Sequence, residues 1–250
     1  MNILSIGNSF STNAHKFLPK IIEADGDEIM LCNLFIGGCS LEQHWNNWRE
    51  EKTDYDYEIY LPGETEMTRA DDVALHEAVE DEDWDVITLQ QCSHFSGIPE
   101  TYSPYLSELA EYCRMVKPEA KIMLHQTWAY EEGCAHGGFA NYKNSQQEMY
   151  RALTEAYVDA AMEADIDFII PSGRAWQTAR NTIDDILTVD GYHGNDMGCY
   201  LASACFYEMI FGRSILENSF ELPDVDKKTM EILKICAHTA VEKGVILNGN

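Results

Sequence analysis

Two short segments far apart in the chain carry residue types that together could do acyl-transfer chemistry. Near the N-terminus, the apolar run Met1-Asn2-Ile3-Leu4-Ser5-Ile6 leads straight into Gly7-Asn8-Ser9-Phe10-Ser11. Much later stands Asp190-Gly191-Tyr192-His193. A serine needs a base to become a nucleophile, and an imidazole base needs an acid to fix its tautomer. Ser9, His193 and Asp190 are the residue types for those three roles.

Each segment also has a plainer reading. Ser9, Ser11 or Thr12 can simply cap a helix that starts near Thr12, and taken alone that reading has the stronger claim for Ser9. Asp190 or Asn195 can cap the next helix and leave His193 in solvent. What favours chemistry is position. A serine at a strand tip before a helix lies near the positive end of the helix dipole, and its own N–H can face a developing oxyanion. An Asp-x-x-His loop, with Gly191 and Gly194 to permit the bend, lets the carboxylate reach Nδ1 and leaves Nε2 for the serine.

The elements that would position these residues alternate. Apolar segments at 1–6, 28–35, 85–89, 120–125 and 166–170 are short and bounded by polar or turn residues, as buried parallel strands are. Helical patterns lie at 12–24, 102–116, 141–164, 195–211 and 226–243, with Gly212 and Gly244 as candidate helix stops. This predicts an α/β, three-layer α/β/α, flavodoxin-like fold with a five-stranded parallel sheet, in one domain over residues 1–250. Residues 53–69 alternate aromatic and charged side chains around Pro62-Gly63 and read as a hairpin insertion.

Ligands in such folds bind beyond the carboxyl ends of the strands. The residues there are Gly7 to Ser9, Ile36 to Ser40, Gln90 to His94, Gln126 to Tyr130, and Pro171 to Gly173. Gly37-Gly38 offers backbone N–H groups for an oxyanion, or a plain turn. Gln90, Gln91 and Ser93 offer side-chain donors, or a polar sheet edge. Trp45, Trp128, Tyr130 and Tyr192 are the aromatics that could line a sugar or acyl pocket, although core or rim packing explains each one singly.

Bulk properties narrow the partners. The chain has 250 residues, 43 acidic and 17 basic, for a formal net charge of −26. Such a surface repels phosphate backbones and anionic membranes, which argues against nucleic-acid and membrane partners. No apolar run nears the ~20 residues that span a bilayer, and the start lacks a signal peptide's basic end, so a cytoplasmic protein is expected. The eight cysteines form no C-x-x-C pair and read as reduced, packed thiols. His125 and His136 lack a third ligand at metal spacing, and the glycines form no P-loop or G-x-G-x-x-G. Neither a metal nor an organic cofactor is expected.

In this order the motifs resemble the SGNH (GDSL-like) hydrolase superfamily. Gly7-Asn8-Ser9 stands where that superfamily has Gly-Asp-Ser, Gly38 matches its second block, and Asp190 with His193 match its last. The strings Ile6 to Ser11, Ile36 to Ser40, Leu89 to Ser93 and His125 to Tyr130 are similar to a bacterial branch of undefined function, the DUF4886 group. The resemblance implies a relative of carbohydrate esterases, acting on a small-molecule or oligosaccharide ester. It implies an oxyanion hole from the N–H groups of Ser9 and Gly38 and one further donor. The chain departs from the superfamily at that donor. Gln91-Cys92-Ser93-His94 replaces Gly-x-Asn-Asp, so Ser93 falls on the asparagine and Gln91 on the glycine, and both stand as candidates. Two other functions suit the same residues: a non-catalytic glycan-binding protein, and an acyltransferase or thioesterase with the same triad.

Overall fold

In a computed structural model, which describes residues 1–166 and 168–244, a seven-stranded sheet forms the centre of the molecule. In chain order its strands are β1 (Asn2–Gly7), β2 (Met30–Phe35), β3 (Tyr55–Tyr60), β4 (Thr68–Val73), β5 (Val86–Leu89), β6 (Lys121–His125) and β7 (Phe168–Ile170). The spatial order is β4-β3-β2-β1-β5-β6-β7. β2, β1, β5, β6 and β7 run parallel, which is the flavodoxin-like order of five strands. The expected five-stranded sheet is therefore too small. The segment expected as an insertion is the hairpin β3–β4, and it joins the sheet by pairing antiparallel with β2. Its second strand also runs past Arg69 to Val73. The alternation of Tyr55, Tyr57 and Ile59 with charges marks a hairpin but does not say which sheet edge accepts it.

The parallel strands are apolar because both faces are covered. Ile3, Leu4, Ile6, Leu31, Leu34, Ile87, Leu89 and Leu124 are almost wholly buried. One helical group packs together from α1 (Ser9–His15), α2 (Leu18–Ala24), α7 (Ser172–Ile183), α8 (Asp196–Phe211) and α9 (Lys227–Glu242). A second group comprises α3 (Leu41–Arg49), α4 (Leu75–Asp81) and α5 (Tyr105–Val116). Arg114 of α5 donates to Ala164 and Asp165 carbonyls at the end of α6 (Gln146–Glu163).

Three helical boundaries differ from expectation. The pattern at 12–24 is two helices, because Pro19 lacks an N–H and cannot sit inside one continuous helix. It falls instead in the first turn of α2. The pattern from 141 starts as a 3₁₀ turn, Gly137–Tyr142, and Lys143 and Asn144 then take left-handed conformations that stop it before Ser145 caps α6. Gly212 ends α8 in a left-handed conformation, whereas Gly244 after α9 does not adopt one. Helices α3, α4 and α7 have no counterpart among the expected elements. The strand expected at 166–170 begins at Phe168, and Asp167 and residues 245–250 lie outside the described residues.

Candidate active site

Ser9 is the first residue of α1, directly beyond the end of β1. It does not cap the helix. Asn8 does, accepting the Phe10 N–H at 3.1 Å. Ser11, another expected cap, instead accepts the Asn8 N–H at 3.0 Å and reaches Asn33 Oδ1 at 2.7 Å. Capping is thus done on either side of Ser9, and the Ser9 hydroxyl is left for other work.

Its partner comes from the loop before α8. His193 Nε2 lies 2.9 Å from Ser9 Oγ. His193 Nδ1 lies 2.7 Å from Asp190 Oδ2, and Asp190 Oδ1 accepts the N–H groups of His193 (2.8 Å) and Tyr192 (3.1 Å). Partial burial pushes the Asp190 carboxyl up. These hydrogen bonds outweigh that and hold it below the usual aspartate range. An ionised Asp190 keeps the Nδ1–H tautomer and leaves the Nε2 lone pair facing the serine. Asn195, not Asp190, caps α8, accepting the Gly198 N–H at 3.2 Å.

The loop is held in place from several directions. Gly194 N–H donates to Asn13 Oδ1 of α1 (2.9 Å). Trp128 Nε1–H donates to the Tyr192 carbonyl (2.8 Å), and Glu131 N–H to the Gly191 carbonyl (2.8 Å). Gly191 has φ +94°, where a side chain would be strained and would press on Cys134.

Ser9 and His193 open onto a cleft of about 390 Å³, lined also by Asn8, Phe10, Phe35, Gly37, Gly38, Ser93, His94, His136 and Tyr192. Gly38 has φ +67°, so the loop after β2 turns sharply at the cleft. Among the described residues, no group of three or more His, Cys, Asp or Glu side chains could hold a metal ion. Among them, too, no helix is long and apolar enough to cross a membrane.

Residues 2–240 match the family described as "Domain of unknown function (DUF4886)". The chain belongs to the DUF4886 family. A crystal structure of a DUF4886 family protein from Bacteroides uniformis is 37% identical, covers 97% of this chain and 95% of that one, and superposes with a TM-score of 0.94. A protein from Slackia heliotrinireducens, provisionally described as an SGNH hydrolase, is 22% identical over 84% of this chain and 98% of its own, with a TM-score of 0.60. An acetylxylan esterase from Geobacillus stearothermophilus is 14% identical over 88% of this chain and 94% of its own, with a TM-score of 0.53. The DUF4886 chain thus shares the α/β fold of SGNH hydrolases. None of the curated proteins matches it.

Within this DUF4886 chain the other expected site residues divide. Ser93 lines the cleft, with its Oγ 2.7 Å from the Tyr130 hydroxyl. Gln91 is fully buried and turned away. Its Oε1 accepts the N–H groups of Leu41 (3.1 Å) and Cys92 (2.8 Å), and its Nε2 donates to the Thr101 carbonyl (2.8 Å) and hydroxyl (3.1 Å). Both amide protons are committed, so Gln91 supplies no donor to the cleft.

Of the four aromatics, only Tyr192 lines the cleft. Trp45 donates to Glu108 Oε2 (2.7 Å) and packs edge-on to Tyr105, between α3 and α5. Trp128 is buried, stacked between Phe10 and Trp176, and acts on the site from behind, through the Phe10 ring and the Tyr192 carbonyl. Tyr130 is buried behind Ser93. Strand-end position places Trp128 and Tyr130 near the site, but side-chain direction within a loop is not encoded in position alone, and Trp45 lies within α3.

Phe35, His94 and His136 line the cleft without having stood out in the sequence as site residues. The two imidazole rings are 5.6 Å apart, and His136 is 5.0 Å from the Tyr192 ring. Burial holds both below the ordinary histidine range. The neighbouring His136 adds to this for His94, and His193 for His136, partly offset there by Asp190. His136 Nδ1 accepts the Gly138 N–H at 3.1 Å, so the neutral ring carries its proton on Nε2. The one sequence signal was His94 itself, which follows Ser93 directly at a strand end.

Proposed function

We propose that this protein is a serine esterase of SGNH type that removes O-acetyl or other short acyl groups from a carbohydrate. The observation that carries the reading is the hydrogen-bonded chain Ser9–His193–Asp190 opening on a cleft. Ser9 Oγ attacks the ester carbonyl while His193 Nε2 takes its proton. Asp190 holds the Nδ1–H and stabilises the imidazolium. The N–H groups of Ser9 and Gly38 receive the oxyanion. The third donor is Ser93. This role requires the Tyr130 phenol to donate to Ser93 Oγ, which leaves the serine's own O–H to point into the cleft. The tetrahedral adduct then collapses. The C–O bond to the leaving alcohol breaks, and the alcohol takes the proton from His193. Water, deprotonated by the same imidazole, hydrolyses the acyl-Ser9 ester and returns the free hydroxyl.

The cleft suits a neutral sugar ester. Its lining holds no lysine or arginine, and its polar groups are hydroxyl, imidazole and backbone, with the Asn8 amide at its base. The acetylxylan esterase likeness supports the acyl class at the level of fold only. No metal or organic cofactor takes part in this scheme. The test is hydrolysis of a small aryl acetate, then of acetylated sugars, by wild type, Ser9→Ala and His193→Ala. Loss of turnover in both variants is expected. A Ser9→Ala variant as active as wild type would remove the proposal.

A further inference from the structure

Asn8 sits where the superfamily resemblance has aspartate, and its surroundings explain the amide. The side chain is 1% exposed. Oδ1 accepts two N–H groups, from Phe10 (3.1 Å) and from Gln90 Nε2 (2.6 Å). Nδ2 donates to the Cys39 carbonyl at 3.0 Å. Phe10 belongs to the turn that carries the Ser9 N–H. Cys39 directly follows Gly38. One amide therefore spans the two loops that hold the two backbone oxyanion donors.

The direction of each bond is fixed by its neighbours. Gln90 donates to Asn8, so its Oε1 is an acceptor and faces His125 Nδ1 at 2.7 Å. His125 Nδ1 must then carry the proton, and Nε2 accepts from Ser172 Oγ at 3.1 Å. Gln90, His125 and Ser172 are all buried. The result is a polar row, Ser172–His125–Gln90–Asn8, that crosses the strand ends of β6, β5 and β1 and finishes at the Cys39 carbonyl. A carboxylate at position 8 can accept from Phe10 and Gln90. It cannot donate to Cys39, and its second oxygen would face a carbonyl oxygen in a buried site.

We propose that Asn8 is a positioning residue that sets the spacing of the Ser9 and Gly38 N–H groups, held in register by Gln90 and His125. The proposal rests on the esterase reading and names the device that preorganises its oxyanion site. Preorganised donors lose their value when misplaced, because the oxyanion then has to reorganise them.

Asn8→Asp and Asn8→Ala, each compared with wild type from pH 8 to pH 5, test this. At pH 8 both are expected to lose roughly 10²-fold in kcat, with KM little changed, as for removal of an oxyanion donor. On acidification the two should part. Once the introduced carboxyl of the Asn8→Asp variant is protonated, its O–H can donate to the Cys39 carbonyl. The Asn8→Asp to wild-type ratio should therefore rise about tenfold or more, as a charge-opposed contact becomes a hydrogen bond. The Asn8→Ala ratio should stay flat. The titratable groups around Asn8 are His125 behind Gln90, the Cys39 thiol, His193 across the cleft, and Glu58 through Ser11 and Asn33. Wild type carries them all, and the ratio cancels them.

Assays should run well below each variant's melting temperature at each pH. The rate of Ser9 labelling by a fluorophosphonate, read by intact mass, gives a second measure that needs no turnover and follows the same ratios. An Asn8→Asp ratio that is flat in pH, or a loss confined to KM, overturns the proposal while leaving the esterase reading intact. A wild type that neither turns over an aryl acetate nor labels at Ser9 removes that reading, and this proposal with it.

Discussion

The hydroxyl oxygens of Ser93 and Tyr130 lie 2.7 Å apart, with Ser93 at the cleft wall and Tyr130 wholly buried behind it. Under the proposed reaction this pair does the work of the side-chain oxyanion donor. Ser93→Ala should lower kcat by ~10²-fold or more, in line with the removal of one such donor. Tyr130→Phe should cost less, about tenfold, since it removes only the hydrogen bond that orients Ser93. Steady-state kinetics on an aryl acetate decide this. Equal activity in Ser93→Ala and wild type would exclude Ser93 as a donor.

His136 predicts a different kinetic signature. Its Nε2–H is a donor in the cleft, and it has no bond to Ser9, His193 or Asp190. His136→Ala should raise KM for an acetylated sugar by about tenfold, the value of one good hydrogen bond, with kcat nearly unchanged. A small aryl acetate lacks the sugar hydroxyls and should respond little. A variant that loses kcat on both substrates would place His136 in the chemistry rather than in binding.

The buried histidines predict acid sensitivity. His15, His44 and His125 are almost fully buried, and burial pushes each down to about 3, with His15 adding to the effect at His125. Each stays neutral in the native state where the unfolded chain binds a proton. Their stabilisation is complete above about pH 6.5 and is lost progressively as pH falls toward about 3. Below pH 6.5 each should cost about 1.4 kcal/mol per pH unit, so the three together cost roughly 4 kcal/mol. Urea unfolding at pH 7.0, 6.0 and 5.5 measures the slope before most surface carboxylates titrate. His44→Phe should reduce it by one third, and an unchanged stability across that range would refute the argument.

Gly191 gives a test of the loop. Its φ of +94° strains any side chain, and a Cβ there would press on Cys134. Gly191→Ala should cost about 1–3 kcal/mol of strain, which the loop can release only by shifting Asp190 and His193. The expected result is a fall in kcat and in Ser9 labelling that exceeds any fall in melting temperature. Wild-type kcat in this variant would mean that the bend is not needed.

These tests fall on residues of unequal legibility. Ser9, Asp190 and His193 are legible through their place at strand ends and their order along the chain, since local rules alone favour a helix cap and a solvated histidine. The parallel strands can be read because burial on both faces leaves mainly apolar runs, broken inside by single buried polar residues such as Ser5, Asn33 and Thr88. Trp128 and Tyr130 cannot be placed, since adjacent loop residues point in directions that only packing decides. Gln91 and Ser93 differ by two positions, yet one holds the start of α3 and the other faces the cleft. Pro19 is a legible break between α1 and α2 that amphipathic spacing obscures.

The separation of 184 positions between Ser9 and His193 has a consequence for biogenesis. The serine lies on the earlier of the two segments to be synthesised, and its base follows much later in the chain. They meet when α8 docks on α1, through contacts such as Ser203 Oγ–H to the Ala14 carbonyl (2.7 Å), with the Lys16–Asp196 pair (2.6 Å) just beyond the end of α1. Closure of so long a loop comes late in folding, after local helices and neighbouring strands have formed. A growing chain would therefore lack the Ser9–His193 pair until α8 is in place, and recovery of the proposed activity on refolding would trail recovery of secondary structure.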